Sequence, residues 1–149
     1  MPSDSPRTIY LIWKANQALK VLIDIRGRGA GVTLAQYTIL SLLRGRAELS
    51  AAAVARRIGI SPQAANETVS ALESAGLIEK RRPAANRKVL HLALTEDGLE
   101  HLRRAERVID DAERAIFGDL SADEMAVVRV TMSRIIESAA EVAESGGRR

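Results

Sequence analysis

Cysteine is absent from this sequence and aromatic residues are scarce. Its 149 residues include no cysteine, one tryptophan, two tyrosines and one phenylalanine. The missing cysteines exclude disulfide bonds, a cysteine-ligated zinc site and thiol redox sensing. With aromatic residues at 3%, base stacking on single-stranded nucleic acid is a poor explanation of function.

Long hydrophobic runs are missing as well. No apolar stretch approaches the roughly 20 residues that span a bilayer, and the first residues do not have the pattern of a signal peptide. The length fits one ordinary domain, and 46% apolar with 28% charged residues is typical of a globular protein. We therefore expect a cytoplasmic protein with no membrane partner.

The charge is distributed unevenly along the chain. Residues 1–95 hold 14 Lys and Arg against 6 Asp and Glu, whereas residues 96–149 hold 8 against 13. A basic first part and an acidic second part indicate that the first part faces nucleic acid. The alternative is an ordinary fluctuation of surface charge.

Apolar spacing and capping residues predict four helices before residue 77. The first covers about residues 8–26, where apolar residues recur at three- and four-residue spacing. The next three begin after Thr33, Ser50 and Ser61, which are residues that cap helix N-termini. Gly76 ends the fourth helix.

The period then changes to the alternation that is typical of strands. Residues 77–82 and 89–94 predict a β-hairpin around a turn that contains Pro83. Two long helices follow, over about residues 96–144, with a break at Gly118 and a capping box of Ser121 and Glu124. The tail from Ser145 is expected to fray. The predicted fold class is mainly α with a small hairpin, in which three helices and the hairpin form a winged helix-turn-helix.

Two sequence blocks on either side of the hairpin carry a family resemblance. The first is Leu72-Glu73-x-x-Gly76-Leu77-Ile78, and the second is Leu94-Thr95-x-x-Gly98. With their spacing and the flanking helices, including Leu34, Leu40 and the segment 50–60, the chain resembles the MarR family of bacterial transcription factors. The resemblance implies a homodimer that binds a pseudo-palindromic operator in duplex DNA and that a small-molecule effector releases.

The resemblance covers essentially the whole chain and implies one domain over residues 1–149. Within it, about residues 33–95 form the DNA-binding part, and about 8–26 and 96–144 form dimerisation helices. The apolar stripes of these outer helices indicate a dimer independently, because they exceed what the core of the winged part requires.

The fourth helix is the predicted recognition helix. Its apolar face uses Ala65, Val69 and Leu72. Amides of Gln63 and Asn66 suit adenine, the Ala64 methyl suits thymine, and Glu67 suits cytosine or a neighbouring arginine. Ser61 caps the helix, whose start also suits a phosphate. The predicted major-groove residues are Ser61, Gln63, Ala64, Asn66, Glu67 and Ser70. The alternative is that they are ordinary solvated positions.

Basic residues of the hairpin are the predicted backbone and minor-groove contacts. Residues 80–88 hold five cations and no acidic residue. The predicted contacts are Arg81, Arg82, Arg87 and Lys88, with Arg56 and Arg57 of the third helix as further phosphate candidates or, alternatively, solvated side chains. By resemblance Arg87 is the arginine of the wing tip. The sequence departs from the family at Asn86, where an acid is usual, and at Glu67, where an arginine is common.

Catalytic and metal-binding patterns are missing. The sequence has no Gly-rich phosphate loop, no metal-ligand spacing and no nucleophile–base pair, so we expect neither an enzyme nor a cofactor. By resemblance Trp13, Tyr37 and His101 are candidates for an effector pocket; the alternative is that the aromatics belong to the core and the histidine is structural or solvated. The predicted function is a sequence-specific, ligand-responsive DNA-binding repressor. The alternative is a winged-helix protein-interaction module that has lost operator binding, which Glu67 and Asn86 suggest.

Overall fold

The structure is a computed structural model that describes residues 6–45, 49–82 and 90–146. Helices α1 to α4 come first, followed by a two-stranded antiparallel sheet and helices α5 and α6. Their bounds are α1 Thr8–Gly27, a 3-10 turn at Arg28–Ala30, α2 Leu34–Arg44, α3 Ala51–Ile58, α4 Pro62–Ser74, β1 Ile78–Arg81, β2 His91–Leu94, α5 Glu96–Phe117 and α6 Ala122–Gly146. This order confirms the predicted winged helix-turn-helix with flanking helices.

The predicted capping residues begin the three helices of the winged part. Thr33 and Gln36 form a reciprocal capping box, in which the Gln36 amide N–H donates to Thr33 Oγ1 at 3.2 Å. The hydroxyls of Ser50 and Ser61 each accept a backbone N–H of the first turn, at 3.2 and 3.1 Å. Gly59 ends α3 with a positive φ of 70°, which glycine adopts without steric cost. The first residues of these helices are thus fixed locally.

The wing is the pair β1 and β2. β1 is shorter at both ends than the predicted segment 77–82, whereas β2 begins later than the predicted segment 89–94 and ends at Leu94 as predicted. The strands pair from Ile78 with Leu94 to Arg81 with His91. The Leu92 N–H also donates to the carbonyl of Leu49 at 2.8 Å, which adds a bridge that sequence periodicity does not predict. The predicted turn at residues 83–86 lies outside the described residues.

A hydrophobic core joins α2, α3, α4, both strands and α5. Its most deeply buried large side chains are Ile39, Leu40, Val54, Val69, Leu72, Ile78, Leu92 and Leu102. Burial of one such side chain contributes roughly 1.5–3 kcal/mol. Because Val69 and Leu72 anchor α4 in this core, the opposite face of α4 is directed to solvent.

Thr95 connects the end of α4 to the start of α5. Its hydroxyl donates to the carbonyl of Gly76 at 2.7 Å and accepts the N–H of Gly98 at 2.9 Å. Gly76 has a φ of 72°, so the turn after α4 requires the left-handed conformation that glycine favours. The two sequence blocks that carry the family resemblance are therefore in direct contact.

The chain divides into two compact units, residues 1–112 and 113–149. The second holds the end of α5 and all of α6, which begins with the predicted capping box: the Ser121 N–H donates to Glu124 Oε2 at 2.8 Å. The helix continues to Gly146, so the predicted fraying is wrong for Ser145 and Gly146. The single domain predicted over residues 1–149 stays a prediction.

None of the helices in the described ranges combines the length and the apolar character that a membrane span needs.

Candidate nucleic-acid interface

The exposed face of α4 carries most of the predicted base-reading residues. Ala65, Val69 and Leu72 are buried, as expected for the inward face. The residues on the opposite side are solvent-exposed, namely Ser61, Gln63, Asn66, Glu67 and Ser70, while Ala64 is half-buried. The structure thus brings the six predicted major-groove residues together on the first three turns of one helix, with side chains that can donate, accept or make apolar contact.

Two of these residues are bonded to each other. Gln63 Nε2 donates to Glu67 Oε1 at 3.0 Å, one helical turn apart. The expected partner of Glu67 was a base or an arginine, and its partner in the structure is instead the Gln63 amide on the same helix. The four-residue spacing of a Gln and a Glu was the sequence signal for this pair.

Arg56 and Arg57 lie in the last turn of α3 and are both exposed. The helix is closely packed against α4 and its Val54 side chain is fully buried. Both guanidinium groups are therefore carried by a helix that the core holds next to the recognition helix. This is a position from which a cation can contact the phosphates beside a groove that α4 enters.

The base of the wing is less basic than the sequence indicates. Lys80 Nζ forms an ion pair with Glu73 Oε2 at 2.6 Å, and Arg81 forms one with Glu79. The prediction of a cationic patch without acids therefore needs correction here, because acids just outside residues 80–88 fold back onto two of its cations. Glu79 stands two residues before its partner Arg81, on the same face of β1, so the sequence did contain this signal.

Of the three other predicted wing residues, only Arg82 lies within the described residues. Arg82 is described and exposed, directly after β1. Arg87 and Lys88 lie outside the described residues, as does Asn86. Their contacts with DNA stay predictions.

The three effector-pocket candidates lie in three different environments. Trp13 is 57% exposed on α1 and stacks with Tyr10, their ring centroids 6.1 Å apart, so a core position for Trp13 within one chain is wrong. Tyr37 is half-buried at the core and lines a surface groove with Arg57. His101 is buried within α5. A shared pocket for these residues stays a prediction.

His101 is the buried titratable side chain of the described core. Its Nδ1 lies 3.4 Å from Arg104 Nη2, and its Nε2 has no hydrogen-bond partner among the described residues. Burial lowers the pKa of the imidazole below the usual 6.5, and the Arg104 charge lowers it further. Both effects favour the neutral form of the ring. No group of three or more His, Asp or Glu side chains that could hold a metal ion occurs in residues 6–45, 49–82 and 90–146.

Comparison with known proteins agrees with this architecture. Residues 30–88, which contain α2, α3, α4 and the first strand of the wing, match the family model of the MarR family. The HTH-type transcriptional repressor Rv2887 of Mycobacterium tuberculosis is 28% identical over 113 residues, which cover 76% of this chain and 81% of the repressor.

Solved structures resemble the chain over most of its length. The structure of Rv2887 in complex with salicylic acid has a TM-score of 0.73 at 25% identity and covers 89% of this chain and 98% of that chain. The PcaV transcriptional regulator from Streptomyces coelicolor, in complex with its natural ligand, has a TM-score of 0.79 at 27% identity and covers 93% and 99%.

A hairpin wing and a helix whose exposed face is polar define a winged helix-turn-helix protein. Residues 30–88 match the model of the MarR family, and the relatives that resemble the chain over most of its length are transcriptional regulators.

Proposed function

We propose that the chain is a homodimeric repressor that binds a pseudo-palindromic operator in duplex DNA, with α4 in the major groove. The observation that carries this proposal is the exposed row of Gln63, Asn66, Glu67 and Ser70, opposite the buried face of the same helix. Amide and hydroxyl groups at this spacing match the donor and acceptor patterns of base edges. Since the operator is chromosomal, the proposal places the protein in the cytoplasm.

Exposed apolar side chains on the outer helices support the dimer. On α1 these are Ile9, Tyr10, Leu11, Trp13, Val21 and Ile25, and on α6 they are Val127, Val130, Met132, Ile136 and Val142. No residue of α6 is buried within one chain. A second copy is the proposed partner of these faces, since both copies present the same faces and a two-fold interface is self-complementary. Two-fold symmetry then places the two recognition helices about 34 Å apart, one turn of the duplex.

The cationic phosphate contacts must come from elements other than α4. Its segment Pro62–Ser74 contains no Lys or Arg and carries Glu67 and Glu73. The exposed cations beside it are Arg56, Arg57 and Arg82, and the predicted Arg87 and Lys88 of the wing add to them. These residues supply the attraction that does not depend on sequence, and α4 supplies the reading of bases.

A small-molecule effector completes the proposal. Two regulators that resemble the chain are known in complexes with ligands, one of them salicylic acid. In this chain α1, α2 and the end of α3 border a groove of about 470 Å³, where Lys20 lies near the apolar Leu34 and Ile58. Lys20 and Asp24 both line this groove, so it suits a small ligand with an apolar body and polar groups. By resemblance Trp13, Tyr37 and His101 stay candidates for effector contacts.

Selection of bound genomic fragments, followed by affinity measurements at several salt concentrations, tests the proposal. A protein that neutralises about 6–10 phosphates loses roughly 1,000- to 100,000-fold in affinity between about 50 and about 200 mM salt. The matched variants are Arg57→Gln, expected to weaken binding to all sequences, and Asn66→Ala, expected to weaken binding mainly to the selected operator. If no fragment binds at low salt, the protein-interaction module is the better hypothesis.

A further inference from the structure

We infer that Gln63 and Glu67 act as one base-reading unit that selects adenine and rejects guanine. The inference rests on the proposed function, since it concerns the helix that we place in the major groove. Glu67 is the positioning residue of the unit, and Gln63 is the residue that contacts the base.

The hydrogen bond between the two side chains fixes the orientation of the Gln63 amide. A carboxylate only accepts hydrogen bonds, so the amide nitrogen and not the amide oxygen must face Glu67. The distance from Nε2 to Glu67 Oε1 is 3.0 Å, and both side chains are exposed. The Gln63 oxygen and the second N–H are thus left pointing away from Glu67, available to a ligand as one acceptor and one donor.

This pair of groups matches adenine and not guanine. Adenine presents a donor at N6 and an acceptor at N7 in the major groove, whereas guanine presents acceptors at both O6 and N7. If guanine replaced adenine, the fixed amide oxygen of Gln63 would face guanine O6, which is also an acceptor. Turning the amide over would relieve that repulsion but would place the same oxygen against the carboxylate of Glu67. Neither orientation satisfies guanine beside the Glu67 carboxylate.

Asn66 is the internal comparison on the same face. Its amide makes no hydrogen bond in the part of the chain that the structure describes, although the side chain is as exposed as that of Gln63. Asn66 can therefore turn over, so that its N–H groups face guanine O6 or its oxygen faces adenine N6. The lack of Lys and Arg in Pro62–Ser74 also means that α4 supplies no cation to compete for Glu67.

The test measures base preference in three proteins: the intact chain, Glu67→Gln and Glu67→Ala. Each is first used to select sites from a randomised duplex at constant salt, and affinities are then measured on the selected operator and its adenine-to-guanine variants. Replacement of the contacted adenine by 7-deazaadenine removes only the N7 acceptor and locates the Gln63 contact. Thermal unfolding of the three proteins checks that the exposed substitutions leave the fold unchanged.

We expect the intact protein to prefer adenine to guanine at one position of each half-site by roughly 5- to 150-fold, the range of a good bidentate contact. Both variants lose most of this preference, because the amide can then turn over, and they bind the guanine operator more tightly than the intact protein does.

Two results overturn the inference while leaving the proposed function intact. One is an unchanged adenine preference in both variants. The other is a uniform gain in affinity for all sequences, which would mean that Glu67 only repels the duplex. Failure of the intact protein to bind any duplex would instead overturn the proposed function and the inference with it.

Discussion

Gly98 lies directly against the backbone of Leu77. A Cβ on Gly98 would stand 1.8 Å from the Leu77 carbonyl oxygen, well inside the closest approach of two such atoms. Gly98 is in the first turn of α5, and Leu77 directly precedes the first strand of the wing. The glycine of the Leu-Thr-x-x-Gly block is therefore required by the close packing of α5 on the wing.

Gly98→Ala is expected to lower the free energy of unfolding by about 1–3 kcal/mol or more, because the backbone of Leu77 must move to admit the methyl group. Helix propensity alone would predict a higher free energy of unfolding, because alanine favours a helix more than glycine does. Gly29→Ala is the matched control, since nothing lies within 4 Å of a Cβ there. Urea denaturation of both variants measures the difference, and equal stability would contradict the close approach.

Thr95→Val is expected to cost about 1–3 kcal/mol, because it leaves the Gly76 carbonyl and the Gly98 N–H without the Thr95 hydroxyl. Thr95→Ser keeps both hydrogen bonds and should recover most of this stability. The measurement is again the free energy of unfolding. A serine variant as unstable as the valine variant would show that the methyl group, not the hydroxyl, matters.

Glu73→Gln is expected to tighten binding to all duplex sequences by freeing Lys80 from its ion pair. One additional phosphate contact should steepen the dependence of log affinity on log salt by about one unit. Glu141→Gln, on the exposed surface of α6, changes the net charge equally and serves as the control. If both variants bind alike, net charge and not the release of Lys80 explains the gain.

Lowering the pH is expected to destabilise the protein through His101. Its pKa is lowered in the folded state by burial and by Arg104, so the unfolded chain takes up the proton more readily. The free energy of unfolding should therefore be highest above about pH 6.5 and should fall as the pH drops below it. His101→Leu removes the titrating ring and should flatten this part of the profile. An identical profile in the variant would assign the pH dependence to other groups.

Removal of α6 by truncation before about residue 119 should abolish the proposed dimer and expose apolar surface. Because the truncated chain can fail to fold, Ile136→Glu is the sharper variant: it places a charge on a side chain that is 68% exposed in one chain. Ala52→Glu adds the same charge on α3 and should leave the dimer intact. Sedimentation at micromolar concentration reports the association state, and a stable monomer of the intact protein would refute the dimer.

The sequence predicted the elements because the signals for helices and strands are local. Thr33, Ser50 and Ser61 cap helices by bonding to residues three positions on, so both partners lie in one short segment. The bridge from Leu49 to Leu92 joins residues far apart in the chain, and apolar periodicity contains no information on such a pairing.

The sequence predicted which side chains of α4 are exposed, but it did not predict the hydrogen bond and ion pairs that these and neighbouring side chains form. Burial of Val69 and Leu72 follows from helical periodicity, and it determines that Gln63 and Asn66 face outward. Which exposed groups pair with one another depends on side-chain rotamers. Glu73 and Glu79 therefore neutralise cations of the wing that composition alone presents as available.

The absence of cations from Pro62–Ser74 has a consequence for how the proposed repressor would find its operator. Attraction to phosphates acts at every position of a chromosome, and a genome offers about a million or more competing sites. A recognition helix with two carboxylates and no basic side chain adds nothing to that attraction. In the proposed repressor, such a helix would shorten the time that the protein stays on an unrelated sequence, so that it would examine more of the DNA in a given time.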